Sequence, residues 1–199
     1  MGLDTVELVV DVEKHFGISI PNVEIEAVRT VGEFAQCAAK YIAINKGQKC
    51  KSQMLFYVLR DYAFEELQFP REQFTPSTII GEVIPLANRK NLWDKMSNDL
   101  GLEMPSLSPR DLNPDIKYNN SLLAGLLGVG EQEDIVVRSV RDFIDWLLSL
   151  NQDKFINAGN IASLYEIERV VVYYTSEKCG IGVESIQLHH KIVDDLGLD

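Results

Sequence analysis

Asp4, Glu7 and Asp11 recur at helical spacing and fall on one stripe about 60° wide at 100° per residue. Carboxylates placed this way can steer a basic partner surface, and they are equally what a solvated helix face carries. As a docking stripe they would act on encounter rate and orientation, and salt would weaken them over a Debye length of about 8 Å. His189 and His190 stand near Asp194 and Asp195, which suggests a metal or acid-base site. Adjacent loop residues point apart and no third ligand follows at metal-binding spacing, so loop packing is expected there, and no metal. His15 lies at a helix end, where a cation favours the dipole. Gly125, Gly128 and Gly130 in LLAGLLGVG have the order GxxGxG and no strand before them, which is wrong for a phosphate loop. A packed turn or a partner-contacting apolar patch is expected instead. Cys37, Cys50 and Cys179 are odd in number and unevenly spaced, so they form neither a disulfide framework nor a metal pattern and read as reduced cytosolic thiols. Cys37, on the apolar side of its helix, is expected to be a small core residue. A Cys–His nucleophile pair stays open on spacing alone.

Helices must position all of these groups. Leu3, Val6, Val9, Val10 and Phe16 mark an amphipathic helix that Gly17 stops, with ISIP (Ile18 to Pro21) as an extended connector. Thr30 and Glu33 form a capping box for a helix running through Phe34, Ala38 and Ile42 toward Lys46 and Gly47. A polar stretch from Asn45 to Lys51 suggests a boundary. Met54, Leu55, Val58, Leu59, Tyr62 and Phe64 predict a helix ending near Phe69, and another is expected from about Asn88 to Leu100. Prolines make Pro105 to Asn120 a loop. Helical spacing resumes from Asp134 to Leu150 and from about Leu164 to Cys179, and Trp93 and Trp146 fall on apolar faces as core anchors. No hairpin signal or strand alternation appears, so the fold class is all-α.

Composition narrows the function classes. The 199 residues carry 19 Lys and Arg against 30 Asp and Glu, a formal net charge of -11, with no basic stripe for phosphate contacts, so no nucleic-acid partner is expected. At 46% hydrophobic the chain can bury an ordinary core. Ser121 to Gly130 is its longest apolar stretch, well short of the roughly 20 residues a membrane helix needs, so no membrane span is expected. The first residues lack a secretory pattern, and a cytoplasmic location is expected.

GISIP (17 to 21) and GLEMP (101 to 105) each close an amphipathic helix, which suggests an internal repeat. A second pattern emerges when the last residues, DDLGLD (Asp194 to Asp199), are read into GLDTVELVVDVEKHFGISIP (Gly2 to Pro21), with only Met1 between. Joined so, LDTVELV (Leu3 to Val9), EKHFGISIP (Glu13 to Pro21) and RTVGEF (Arg29 to Phe34) follow in the order and spacing of the acyl carrier protein family. The helix around Glu168 to Cys179 and the loop ending in IVDDLGLD match that family's first helix and loop. The text therefore resembles the family with its order rotated, helices two to four first and helix one last.

Such a resemblance implies an acyl-carrier-like helical bundle formed by residues 1–47 with 160–199, permuted within one chain or swapped in a homodimer. A second, degenerate carrier-like helical domain is expected over 52–151. In the family, a serine after the loop's aspartate takes a phosphopantetheine arm. That aspartate corresponds here to Asp199 and the serine to Gly2, flanked by Leu3, and glycine offers no oxygen for a phosphodiester. In the middle unit, Pro85 and Leu86 stand at the equivalent point, beside Arg89 and Lys90. The resemblance thus implies a non-enzymatic interaction module of acyl-chain (fatty acid or polyketide type) metabolism with no cofactor of its own. Its partners would be enzymes or carriers with basic docking surfaces, met through Asp4, Glu7 and Asp11. Two alternatives stand beside it. One is a genuine acyl or peptidyl carrier loaded at an unexpected hydroxyl such as Thr5; the other is an enzyme with its site in the middle unit, where no nucleophile and base stand at recognisable spacing.

Overall fold

A computed structural model describes residues 2–116 and 134–199. Ten helices are present among them: α1 (Leu3–Phe16), α2 (Asn22–Ile25), α3 (Val31–Ala39), α4 (Lys51–Leu67), α5 (Ile80–Val83), α6 (Arg89–Leu100), α7 (Pro109–Leu112), α8 (Val140–Leu150), α9 (Gln152–Phe155) and α10 (Leu164–Cys179). The described residues form no strand, only isolated bridges between Thr30 and Lys191 and between Ile79 and Ser139. No helix among them is long and apolar enough to cross a membrane. The chain divides into two compact units, Met1–Lys51 with Asn151–Asp199, and Ser52–Leu150.

In the first unit, α1 buries Thr5, Leu8, Val9, Val12 and Phe16, a set spaced at three and four residues that makes one continuous face. Leu3 and Val6, expected on that face, are instead 72% and 40% exposed. They are apolar letters at outward positions, whereas Thr5 points inward because its hydroxyl finds a backbone acceptor. Gly17 ends α1 at φ 64°, the left-handed conformation that lets Ile18 N–H reach back to Glu13 O at 3.0 Å. The connector Ile18 to Pro21 carries no helix, and a short helix, Asn22–Ile25, follows it directly. Thr30 and Glu33 make their reciprocal cap on α3. That helix stops at Ala39 rather than near Gly47, tightening into bonds from Lys40 N to Cys37 O and Tyr41 N to Ala38 O. Within the same chain, α10 packs against α3 and α1, burying Ile167, Val170, Val171 and Val172.

In the second unit, α4 buries Leu55, Leu59, Tyr62 and Ala63, while Trp93, Met96, Phe143, Ile144, Trp146 and Leu147 complete the core. The helix expected from Asp134 begins only at Val140, because Ser139 and Asp142 exchange side-chain and backbone hydrogen bonds and cap it there. The loop expected after Pro105 holds one further turn, α7, capped by Ser108 and Asp111. The apolar stretch Ser121 to Gly130, with Gly125, Gly128 and Gly130, lies outside the described residues.

The two units are built alike. Val31 N–H donates to His190 O at 3.1 Å, and Val140 N–H to Thr78 O at 2.8 Å; Ile192 N–H donates to Arg29 O and Ile80 N–H to Arg138 O, both at 2.9 Å. Gly32 to Leu188 and Arg141 to Pro76 continue the series, and Leu102 N–H returns to Ser97 O as Ile18 does to Glu13. In each unit the residue that closes the long helix, Gly180 or Gln68, has positive φ. These bonds pair α10 with α4, α1 with α6 and α3 with α8. Chain order differs: the second unit runs long helix, middle helix, last helix, and the first runs middle, last, long.

Candidate functional site

Gly2 and Asp199 meet at the N-terminus of α1. Thr5 N–H points at Asp199 O at 3.5 Å, and the buried Thr5 hydroxyl donates to Leu198 O at 3.0 Å. A Cβ on Gly2 would lie 1.7 Å from the Asp199 carbonyl carbon and 2.0 Å from its oxygen. With φ at -79° this glycine is not selected by backbone conformation; it is there because the other segment occupies the place of a side chain. The position carries no hydroxyl, and the residues present do not fit a phosphopantetheine arm.

Beside this junction lies an open cleft of about 690 Å³. Its floor is apolar, from Leu8 and Val9 on α1, Ile25 at the end of α2, Val28 after it, and Phe34 on α3, while Arg29, Lys191 and Asp194 stand at the rim. Arg29 donates to Glu26 O and Val28 O, and Lys191 pairs with Asp194 at 3.1 Å. In the second unit, Arg89 and Trp93 stand where the first has Thr5 and Val9. Both are buried, Arg89 Nε donating to Ile84 O and Trp93 Nε1 to Pro105 O, each at 3.1 Å. Burial lowers the Arg89 pKa against the pull of Asp111. Asp111 itself is fully buried and accepts from the N–H groups of Ser108, Ile135 and Val136. Larger side chains therefore stand in the second unit at positions that line the open cleft in the first.

The acidic stripe is divided in its use. Asp4 and Glu7 are exposed and Asp11 is half-buried. Glu7 and Asp11 both pair with Lys178 on α10, at 3.1 and 2.8 Å, and these bonds raise the Lys178 pKa. Asp4 lies close enough to Cys179 that its charge adds to burial in pushing that thiol up to about 11, which keeps it protonated at neutral pH. Exposed Leu3 and Val6 interleave with Asp4 and Glu7 on the outer face of α1.

The histidines behave differently from expectation. His15 is not a helix-end cation: its side chain is 7% exposed, Nε2 donates to Ile156 O at 3.1 Å, and burial lowers its pKa although Asp153 opposes this. The rings of His189 and His190 do not point apart but meet edge to face with centroids 5.0 Å apart. His190 Nδ1 accepts from Gln187 N–H, the place Thr78 Oγ1 takes toward Thr75 N–H in the second unit. Among the described residues no group of three His, Cys, Asp or Glu could hold a metal ion. Cys37 is buried and its thiol pKa is raised by burial, so its nearest acidic neighbour, Glu24, has no thiolate to serve. The cleft escaped sequence reading because its lining comes from short apolar runs that look like ordinary core. No family model matches the chain, and no solved structure matches it.

Proposed function

We propose that the unit made by the two terminal segments is an acyl-carrier-like docking module that carries no arm of its own and is not an enzyme. The observation that bears the reading is the meeting of Asp199 and Gly2 at the start of α1, at the point where the resembled family has its loading serine. The alternative of loading at Thr5 draws no support, since that hydroxyl is buried and committed to Leu198 O. The outer face of α1, with Leu3 and Val6 set among Asp4 and Glu7, suits a partner surface that is basic around an apolar centre. Its partners would be enzymes or carriers of acyl-chain metabolism. The apolar cleft beside the junction suits a chain delivered by such a partner, and the second unit, with Arg89 and Trp93 in place of Thr5 and Val9, serves as scaffold.

Affinity capture from the native cell, with wild type and Asp4→Lys compared at low and high salt, tests the reading. Enzymes or carriers of acyl-chain metabolism should be retained by wild type at low salt and lost with the variant. Equal retention of the same proteins by both would overturn the docking role of α1.

A further inference from the structure

The long helices α4 and α10 are related by 112 positions, and the helices they meet, α6 and α1, by 84. Their inward faces share three buried equivalents, Leu55 and Ile167, Leu59 and Val171, Ala63 and Thr175, although α10 also buries Glu166 and Val170 where α4 exposes Met54 and Val58. Tyr62 donates to Asp99 Oδ2 at 3.0 Å, and Tyr174 lies 3.5 Å from His15 Nδ1, the same pair of positions in each unit. Apolar burial is non-directional, so these three shared positions discriminate poorly between one partner helix and the other. The chain therefore has two long helices and two acceptors of related shape.

Charge separates them further. Lys178 on α10 lies 2.8 Å from Asp11 Oδ2 and 3.1 Å from Glu7 Oε2 on α1. At the matching positions, Glu66 on α4 accepts from Lys95 on α6 at 2.8 Å. Lys95 also pairs with Asp99 of its own helix; between the long helix and its partner the position is shared and the sign is reversed. We infer that this reversal selects the partner of each long helix, so that α1 accepts α10 and rejects α4, while α6 does the opposite. In the wrong pairing Lys178 would face Lys95, and Glu66 would face Glu7 and Asp11, placing like charges opposite each other. Selection is needed because the first unit is assembled from segments that the whole second unit separates in sequence, so α4 and α6 form in the interval between α1 and α10.

Full-length protein carrying Asp4→Cys, Asn88→Cys and Cys50→Ser tests this. Position 88 is the counterpart of 4, and native Cys179 lies near Asp4. After refolding from denaturant and treatment with a short bis-maleimide, peptide masses report which site Cys179 reaches. With native signs the 4–179 link should exceed the 88–179 link at least tenfold. Exchanging the donor signs, Lys178→Glu with Glu66→Lys, should raise the 88–179 share at least fivefold. Adding Glu7→Lys, Asp11→Lys and Lys95→Glu, which inverts the sign at all five interhelical positions, should restore the native ratio, and this variant keeps the test decisive if the exchanged one folds poorly. An unchanged ratio on donor exchange, or failure of full inversion to restore it, overturns the inference.

Discussion

Replacing Gly2 by alanine probes the junction with a single methyl group. Its Cβ would sit 1.7 Å from the Asp199 carbonyl carbon, whereas non-bonded carbons rest about 3.5–4.0 Å apart, so Asp199 has to retreat by roughly 2 Å. The obstacle is backbone, which cannot swing aside as a side-chain tip would. Retreat removes the bond from Thr5 N–H to Asp199 O and strains the buried bond from the Thr5 hydroxyl to Leu198 O. Leaving a buried hydroxyl unsatisfied costs about 1–3 kcal/mol. Leu198, 2% exposed, anchors the same segment and limits how far it can relax. Gly2→Ala should thus cost the first unit about 1–3 kcal/mol, which for a chain of this size lowers the midpoint by roughly 3–10 °C. Thermal and urea unfolding followed by circular dichroism measure this, with deletion of Asp199 as the second arm of a double-mutant cycle. On the deletion background, Gly2→Ala should be close to neutral. Equal stability of Gly2→Ala and wild type, or the same loss with and without Asp199, would refute the argument.

Burial lowers the folded-state pKa of His15 below its ordinary 6.5, so its contribution is complete above that pH and is lost as pH falls through the folded value; His15→Gln should flatten the fall in urea midpoint between pH 7.5 and 5.5. Lys51 faces the buried Glu166 at 3.8 Å, and Lys51→Met should cost about 3 kcal/mol by stranding that carboxylate. Adding Glu166→Gln should recover part of the loss in the same urea titration. Val9→Trp copies the residue of the second unit into the cleft. It should abolish the fluorescence gain of an apolar dye while the circular dichroism spectrum keeps its helical form.

The sequence showed the helices best where local chemistry decides them. Leu164–Cys179 and the Thr30–Glu33 cap were legible because apolar spacing and capping residues act over a few positions. Ser139 and Asp142 carry the same capping signal in a shorter acid, and reading apolar spacing alone carried the helix too far back to Asp134. Leu3 and Val6 show the converse limit, since residue type does not say which side faces the core. The likeness of the two units was visible at GISIP and GLEMP and at the point where Pro85 and Leu86 stand in the place of Gly2. The backbone bonds that reveal it, such as Val31 to His190 and Val140 to Thr78, run through N–H and C=O groups that every residue type shares. The lowered pKa of His15 follows from its burial, to which Tyr174 of α10 contributes, a long-range arrangement that spacing along one helix does not contain.

The central claim is that the place where the two terminal segments meet cannot be loaded. Incubating the purified full-length protein with a phosphopantetheinyl transferase and coenzyme A, and weighing it intact beside a loadable carrier as control, measures this directly. The mass should stay at that of the polypeptide while the control gains its group. A gain of one phosphopantetheine on this chain would contradict the account.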